Sequence, residues 1–242
     1  MNKIICGDSL KVLSEIGHAR MTFADPPDNL KLKYNGFTDK WKSEDAYLTW
    51  MFDVFQAGTF TSDVFWFSHF YKWTSYIHRF ACRDNRDIRM FIWRFTFGQH
   101  RRTDCGNGYR PILRVSKPGV KWNTNAIRVP SWRQMKYNDR RANPNGRVPD
   151  DVWDFPRVCG TFHERRKWHP TQHPEALIER MILMSTKPGD LVVDMFAGSG
   201  TVNRVCQRLD ENGQGRDCIG IDVSPFYCRK IAEELNIESE GV

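Results

Sequence analysis

One strand-turn-helix pattern near the end of the chain constrains its fold more than any other feature. Residues 191–193 are a short apolar run after a turn signal, which is typical of a buried parallel strand. The run ends at Asp194, and Gly198 and Gly200 then permit a tight turn and the close approach of a ligand to the backbone. From Thr201 onward apolar residues recur at helical spacing. The pattern predicts a helix whose unpaired N-terminal N–H groups lie beside a ligand site.

A second apolar run, residues 218–221, ends at another acid, Asp222. In doubly wound α/β sheets an acid at this distance after the glycines binds the ribose hydroxyls of a nucleoside. The third glycine of the dinucleotide fingerprint is absent, and Gly-x-Gly alone also fits an ordinary strand-to-helix turn. Two acid-ended strands around the glycine turn together predict a nucleoside cofactor.

Three motifs in the chain resemble those of the S-adenosylmethionine-dependent DNA amino-methyltransferases. They are Asp194-Met195-Phe196-Ala197-Gly198-Ser199-Gly200-Thr201, His169-Pro170-Thr171-Gln172-His173-Pro174-Glu175-Ala176-Leu177 and Asp25-Pro26-Pro27. The catalytic motif comes first, which is the order of the circularly permuted, beta-type branch. The resemblance covers both ends of the chain and is weak in the middle, and the family usually has Lys in place of His173. It implies a Rossmann-like, doubly wound, mostly parallel α/β sheet that is circularly permuted, with a basic inserted recognition region.

The resemblance also implies S-adenosylmethionine as the cofactor and assigns residues to it. The strand before Asp8 would lie beside the strand that ends at Asp222, so that Asp8 would reach the adenine amino group, although helix capping explains Asp8 nearly as well. Thr171 and Gln172 would lie near the methionine carboxylate. The implied cofactor-binding residues are Asp8, His169, Thr171, Gln172, Asp194, Phe196, Ala197, Gly198, Ser199, Gly200, Thr201, Asp222 and Val223.

The motif Asp25-Pro26-Pro27-Asp28 follows a short strand-like run and carries residue types that suit amino methylation. An exocyclic amine of a base is a poor nucleophile because its lone pair is delocalised into the ring. A carboxylate and a rigidly held backbone carbonyl that accept its two N–H groups would free the lone pair for attack on the sulfonium methyl group. The target base would have to leave the duplex to reach such a pocket. Without the cofactor motif, the tetrapeptide could equally be a turn.

The fourth position of this motif departs from the family, which has an aromatic residue that stacks on the flipped base. Asp28 cannot stack, so the target, the rate and the activity itself are in question. Tyr34, Phe37 or Trp41 of the following polar loop could supply a ring.

Charge is unevenly distributed along the chain, whose net charge is +7. Residues 100–168 contain 16 Lys and Arg against 6 Asp and Glu, and the remainder is slightly acidic. The same stretch contains six Tyr and Trp residues, and basic and aromatic residues together favour nucleic acid over a solvated basic surface. Double-stranded DNA is therefore the expected partner. The candidate DNA contacts are Tyr34, Arg128, Arg133, Lys136, Arg140 and Arg141.

The resemblance, together with the irregular and basic middle of the chain, implies three parts. We expect residues 1–97 to form the catalytic half, 98–165 the target-recognition region and 166–242 the cofactor half. Helices are predicted after Ser9, Ser43, Tyr71, Pro174, Thr201 and Ser224, and strands at 3–8, 20–24, 64–68, 89–93, 111–115, 191–193 and 218–222. Residues 119–168 show no regular period and are predicted to be irregular.

Other features narrow the class of protein. No apolar run has membrane length, no signal peptide is recognisable, and seven scattered cysteines form no Cys-x-x-Cys, which predicts reduced thiols and a cytoplasmic location. His100, Cys105, Cys159 and His163 are a weak zinc alternative, because their spacing is not that of a standard finger, and no metal is expected.

The sequence thus predicts a site-specific DNA methyltransferase, as in restriction-modification systems, with N6 of adenine preferred because the motif begins with Asp rather than Ser. N4 of cytosine, a catalytically weak DNA-binding relative, and RNA or a free nucleotide as substrate are the alternatives. A homodimer is left open.

Overall fold

The computed structural model describes residues 1–83, 85–99 and 101–241, which form a nine-stranded sheet with helices on both faces. The strands are β1 (Asn2–Cys6), β2 (Ala19–Ala24), β3 (Ser62–Ser68), β4 (Asp87–Gln99), β5 (Asn107–Ser116), β6 (Val152–Phe155), β7 (Leu191–Asp194), β8 (Asp217–Asp222) and β9 (Glu238–Glu240). The helices are α1 (Ser9–Glu15), α2 (Glu44–Phe60), α3 (Thr74–Ala81), α4 (Trp132–Met135), α5 (Glu175–Ser185), α6 (Thr201–Glu211) and α7 (Pro225–Leu235). The predicted strands and helices are all present.

The strand order is β6-β4-β5-β3-β2-β7-β8-β1-β9, and the six strands from β3 to β9 in this order are parallel. From β7 the chain continues through α6 to β8 on one side, and from β2 it continues through α2 to β3 on the other side. The topological switch point, where ligands of doubly wound sheets bind, therefore lies between β2 and β7. Cys6 of β1 pairs with Asp222 of β8, which confirms the expected neighbourhood of these strands.

Apolar layers cover the sheet on both faces, as a parallel sheet requires. On one face α5 and α6 pack over Trp66 of β3, whose indole N–H donates to Ser185 Oγ at 2.9 Å. On the other face α1, α2 and α3 bury Tyr47, Phe55 and Trp73. The strand ends are thereby fixed in space, which fixes the residues that follow them.

The middle of the chain extends the same sheet. Strand β5 runs antiparallel to β3, with Ser68 opposite Ile112, so the start of β5 reaches beyond the end of β3. The prediction of an irregular segment over 119–168 is wrong in two parts, because α4 is a short helix and β6 pairs in parallel with β4. Alternating exposure along β6 (Val152 exposed, Trp153 buried) is the signal, but four residues are too few for a period to stand out. The short edge strand β9 was not predicted either.

Within these described residues, none of the helices combines the length and the apolar character needed to cross a membrane. All seven cysteines are free thiols.

Candidate active site

The carboxyl ends of the parallel strands open into one cavity of about 740 Å³, a size common for small-molecule sites. Asp25, which follows β2, and Gly198, which follows β7, both line it. Phe23 of β2 pairs with Asp194 of β7, so the two motifs meet at the switch point. The predicted residues that line the cavity are Asp8, Asp25, Pro26, Pro27, Asp28, Tyr34, His169, Thr171, Gln172, Asp194, Phe196, Ala197, Gly198, Ser199, Thr201, Asp222 and Val223.

The glycine turn after β7 is shaped by two residues with left-handed backbone. Gly198 has a φ of 53°, and a Cβ at this position would lie 3.1 Å from the His169 ring. Gly200 has a φ of 75° and does not line the cavity; a Cβ there would lie 2.9 Å from Ile231 Cγ1 of α7. Gly198 thus keeps the cavity wall open, while Gly200 lets the turn pack against α7.

Asp222 holds this turn from the neighbouring strand. Its Oδ2 accepts the Gly198 N–H at 2.9 Å, and its Oδ1 accepts the Ser224 N–H at 2.8 Å. Burial raises the pKa of Asp222 to about 6, and burial raises the pKa of Asp194 to about 8. Among the described residues, no Lys or Arg forms an ion pair with either carboxylate. This end of the cavity therefore suits a ligand that carries positive charge.

Asp8 combines the two roles considered from the sequence. Its Oδ1 accepts the Leu10 N–H at 2.9 Å and caps α1, while the exposed side chain also lines the cavity. One carboxylate oxygen is thus left for a ligand.

The segment 164–173 forms the cavity wall that packs beside the glycine turn. His169 Nδ1 is bonded to the Thr171 carbonyl oxygen, and burial lowers the pKa of His169 to about 4, so the ring is neutral at neutral pH. The Gln172 amide accepts the Arg166 N–H at 2.9 Å and donates to the Glu164 carbonyl at 2.8 Å. These bonds hold the segment in shape and leave Gln172 one N–H donor and one acceptor direction for a ligand.

The tetrapeptide after β2 is organised by an arginine that the sequence did not suggest. Arg110 Nη2 donates to Asp25 Oδ1 at 2.6 Å, and Arg110 Nη1 donates to Asp28 Oδ2 at 2.7 Å. Asp28 Oδ1 accepts the Phe70 N–H at 3.0 Å. Asp28 therefore binds a cation and a backbone N–H at the side of the cavity, where a stacking ring was expected from the resemblance.

His173 lies at the same end of the cavity. Its Nδ1 is 3.5 Å from Asp25 Oδ2, and its Nε2 is 3.3 Å from Ser68 Oγ. Burial raises the pKa of Asp25, but Arg110, His173 and Ser68 together outweigh it, with Arg110 the largest of the three, so the pKa of Asp25 is lowered. Burial also raises the pKa of Asp28, and there it exceeds the opposite effect of Arg110. Asp25 is thus the carboxylate held ionised.

The loop 29–41 folds over the cavity and contributes residues to its lining. The Asn35 N–H donates to the Tyr227 hydroxyl of α7 at 2.9 Å, and Tyr34 stacks on Phe37 with ring centroids 5.0 Å apart. The third ring considered, Trp41, packs 4.9 Å from Trp50. All three rings line the cavity, and Phe37 is the most exposed of them.

The basic candidates in the middle of the chain lie outside the cavity. Arg128 donates to the Gly146 carbonyl at 2.8 Å and supports its own loop, and Arg141 pairs with Asp139 at 3.0 Å. The other three candidates are exposed and extend to solvent around α4, namely Arg133, Lys136 and Arg140. The structure thus separates these five basic side chains from the cavity, although Arg110, Arg157 and Arg165 of the same basic stretch line it.

The zinc alternative involves one residue that the structure does not describe. His100 lies outside the described residues, and the described part of the chain contains no group of three or more side chains that could hold a metal ion.

Arg110 and Ser68 are the site residues that sequence reasoning missed. Two carboxylates three residues apart in a buried motif need a cation, which is a signal that a partner exists. The signal does not say which of the 36 Lys and Arg residues is the partner, because that depends on the antiparallel direction of β5.

A Rossmann-like sheet with an acidic glycine turn and an Asp-Pro-Pro motif at one cleft defines the class of nucleoside-dependent group-transfer enzymes. Comparison with known proteins makes this more specific. Residues 19–234 match the N6_N4_Mtase family, described as DNA methylase, and the chain belongs to this family. The family uses S-adenosylmethionine as its methyl donor.

Individual proteins show the same relationship. The chain is 33% identical to the type II methyltransferase M.HpaI of Haemophilus parainfluenzae, covering 99% of this chain and 76% of that protein. It is 32% identical to the DNA adenine methyltransferase YhdJ of Escherichia coli (strain K12), covering 98% and 83%. The fold matches the M1.HpyAVI–SAM complex at 21% identity, with a TM-score of 0.68 over 98% of this chain and 100% of that chain. It also matches the PvuII cytosine-N4-specific DNA methyltransferase at 17% identity, with a TM-score of 0.69 over 99% and 95%.

Proposed function

We propose that this chain methylates an exocyclic amine of a base flipped out of duplex DNA, with N6 of adenine as the preferred target. The observation that carries the proposal is the single cavity lined by both Asp25 and Gly198. A donor beside the glycine turn and an amine beside Asp25 would share this space, which is what group transfer by positioning requires.

The cofactor end fits S-adenosylmethionine by charge and shape. The cofactor supplies a methyl group on a cationic sulfonium. Asp194 and Asp222 face this end without an arginine or lysine partner among the described residues, and Gly198 leaves room that a Cβ would narrow. The residues proposed to hold the cofactor are those predicted from the sequence, with Gly200 shaping the turn rather than contacting the ligand.

The base end fits a neutral amine. Asp25 accepts one N–H of the amine, and a carbonyl of the rigid Pro26-Pro27 pair accepts the other, which draws the lone pair out of the ring. The Tyr47 hydroxyl donates to the Pro27 carbonyl at 2.9 Å and fixes this turn. Tyr34 is the proposed ring from the loop 29–41.

Duplex DNA as the partner is supported by the basic middle of the chain. We propose residues 98–165 as the target-recognition region, with Arg133, Lys136 and Arg140 as phosphate contacts because their side chains extend into solvent. Arg128 and Arg141 are held by local partners and would contact DNA only with their remaining donors. A homodimer and a cytoplasmic location stay predictions from the sequence.

Adenine is preferred over cytosine on two grounds. The motif begins with Asp25, and the relative YhdJ, 32% identical, is named a DNA adenine methyltransferase. The cytosine-N4-specific neighbour is 17% identical and supports the fold alone.

Product analysis tests the proposal. Purified protein is incubated with S-adenosylmethionine and mixed-sequence duplex DNA, and the DNA is digested to nucleosides for mass spectrometry. N6-methyldeoxyadenosine is the expected product, Asp25→Asn should abolish it, and the exposed-acid control Asp53→Asn on α2 should retain it. N4-methyldeoxycytidine would overturn the choice of base, and unmodified DNA with cofactor bound would overturn the enzyme proposal.

A catalytically weak DNA-binding relative is the second candidate, because Asp28 replaces a stacking ring. The bonds from Asp28 to Arg110 and Phe70 favour an adapted enzyme instead. Asp28→Tyr separates the two, since an adapted enzyme should lose activity and a degenerate relative should gain it.

A further inference from the structure

One guanidinium lies between the two carboxylates of the tetrapeptide after β2. Arg110 belongs to the early part of β5 and pairs across the hairpin with Trp93 of β4. Because Ser68 at the end of β3 pairs with Ile112, residue 110 lies beyond that end, at the edge where the parallel strands open into the cavity. Because β5 is antiparallel to β3, its first residues lie at this edge of the sheet and place Arg110 beside the cavity.

Arg110 makes four hydrogen bonds in this position. Two go to Asp28, from Nη1 at 2.7 Å and from Nη2 at 3.1 Å, in the fork geometry typical of strong arginine–carboxylate pairs. One goes to Asp25 Oδ1 at 2.6 Å, and one goes from Nε to Ser68 Oγ at 2.6 Å. The side chains of Arg110, Asp25 and Asp28 are only 16%, 22% and 13% exposed, so water does little to weaken these contacts.

The two carboxylates differ in what remains free. Asp28 uses one oxygen on Arg110 and the other on both Arg110 and the Phe70 N–H, so it is directed away from a ligand. Asp25 is bound to Arg110 through one oxygen only, and a carboxylate has about four lone-pair directions. Asp25 therefore keeps acceptor capacity toward the cavity, in a plane set by the rigid guanidinium.

We propose that Arg110 is a positioning residue that orients the Asp25 carboxylate toward the target amine, and that Asp28 is the anchor that holds Arg110 in place. Asp28 then serves the reaction through Arg110, in place of a ring that would stack on the base. This inference rests on the proposed amino methylation.

The electrostatic surroundings of Asp25 agree with this arrangement. The charged and titratable groups that interact with it are Arg110 from β5, Asp28 from its own turn, His169 and His173 from the segment before α5, His69 after β3, Tyr34 from the loop 29–41, Tyr47 from α2 and Asp194 from β7. Burial lowers the pKa of both His69 and His173, which leaves Arg110 as the permanent cation of the group. Loss of Arg110 should therefore raise the pKa of Asp25.

The first test measures catalysis in Arg110→Gln, Arg110→Lys and Asp28→Asn. Arg110→Gln should lower kcat about 100-fold at unchanged cofactor Kd and move the acid limb of the pH profile to higher pH. Arg110→Lys keeps the charge without the fork and should lose about 10-fold. The double variant Arg110→Gln/Asp28→Asn should be no worse than Arg110→Gln alone, because Asp28 acts only through Arg110.

The matched control is Arg114→Gln. Arg114 lies on the same strand and is buried, but its guanidinium stacks 3.7 Å from the Trp122 ring, outside the cavity. Its substitution should reduce thermal stability and leave kcat and the pH profile unchanged. If Arg110→Gln behaves in the same way, Arg110 is a structural ion-pair partner and the inference is overturned.

The second test does not depend on activity. The pKa of Asp25 is followed by NMR of ¹³C-labelled aspartate carboxyls in the wild-type protein, in Arg110→Gln and in Arg110→Lys. Arg110→Gln removes the cation and should raise the pKa of Asp25, and an unchanged pKa in this variant contradicts the inference. Arg110→Lys should fold if Arg110→Gln does not; it keeps the charge but cannot bond both carboxylates through a fork, so a smaller rise is expected, and an unchanged pKa there contradicts a positioning role. If the wild-type protein forms no methylated base, the proposed function fails. The titration needs no activity, so it tests the interaction of Arg110 with Asp25 separately.

Discussion

The buried carboxylates at the two ends of the cavity differ in whether the protein gives them a cationic partner. At the cofactor end, Asp194 and Asp222 are buried without an ion-pair partner among the described residues, and burial raises their pKa values to about 8 and about 6. At the base end, Asp25 and Asp28 share Arg110 at 2.6 Å and 2.7 Å, and the pKa of Asp25 is lowered.

This difference follows from the ligands proposed for each end. S-adenosylmethionine carries positive charge and can compensate the carboxylates that receive it. A nucleobase amine is neutral, so the protein itself must supply the cation that keeps its acceptor carboxylate ionised. The charge distribution of the cavity thus agrees with the two ligands proposed for its ends.

The largest expected effect comes from exchanging one carboxylate at each end for its amide. Asp25→Asn should lower kcat at least 1,000-fold with cofactor Kd nearly unchanged, because an amide can no longer accept the amine N–H with the same charge. Asp222→Asn should raise cofactor Kd and keep most of kcat at saturating cofactor. Steady-state kinetics at varied cofactor concentration measure both variants. An equal increase of the cofactor Kd in the two variants would contradict the assignment of different ligands to the two ends.

A methyl group at the glycine turn should act on the cofactor end alone. Gly198→Ala places a Cβ 3.1 Å from the His169 ring on a backbone with φ of 53°, and cofactor affinity should fall about 100-fold while DNA affinity stays unchanged. Gly213→Ala is the matched control, because its φ is 69° but no atom lies within 4 Å of the added Cβ. If both variants lose affinity equally, backbone strain rather than the cavity wall is responsible.

The basic surface around α4 should affect DNA and neither end of the cavity. The triple variant Arg133→Ala, Lys136→Ala and Arg140→Ala should weaken duplex binding about 10-fold at physiological salt and reduce the slope of log K against log salt by about 1 per lost phosphate contact. The exposed control set Lys11, Lys187 and Arg229, substituted together by Ala, removes the same charge elsewhere on the surface. Identical salt slopes in the two sets would show that the region 98–165 does not bind the DNA backbone.

The smallest expected effect is on stability. Asp194 has a raised pKa in the folded state, so the folded protein binds more protons than the unfolded chain between the ordinary 3.8 and about 8, and stability falls as pH rises through this range. Asp194→Asn should therefore raise the Tm of the cofactor-free protein by about 2–4 °C at pH 8 and by nothing at pH 4. Thermal melts of both proteins at both pH values measure this difference. A lower Tm of Asp194→Asn at pH 8 would contradict the burial of Asp194 without a compensating cation.

The two ends also differ in how far they could be predicted. The cofactor end is local, since strand, acid, glycine turn and helix occur within twelve residues, and the second acid follows at the expected spacing. The base end is assembled from β2, β3, β5 and the segment before α5, so the partner of Asp28 could not be found without the sheet topology. The same reason explains why the prediction placed rings but no cation beside the tetrapeptide.

Calorimetry of cofactor binding tests most directly whether the cofactor, rather than a protein side chain, compensates the charge of Asp194. At pH 7 Asp194 is mostly protonated in the free protein, and the cationic cofactor should ionise it, so roughly one proton should be released per cofactor bound. The heat of binding of S-adenosylmethionine should therefore depend on the ionisation enthalpy of the buffer, and Asp194→Asn should remove most of this dependence. The same buffer dependence in wild type and Asp194→Asn would contradict the account.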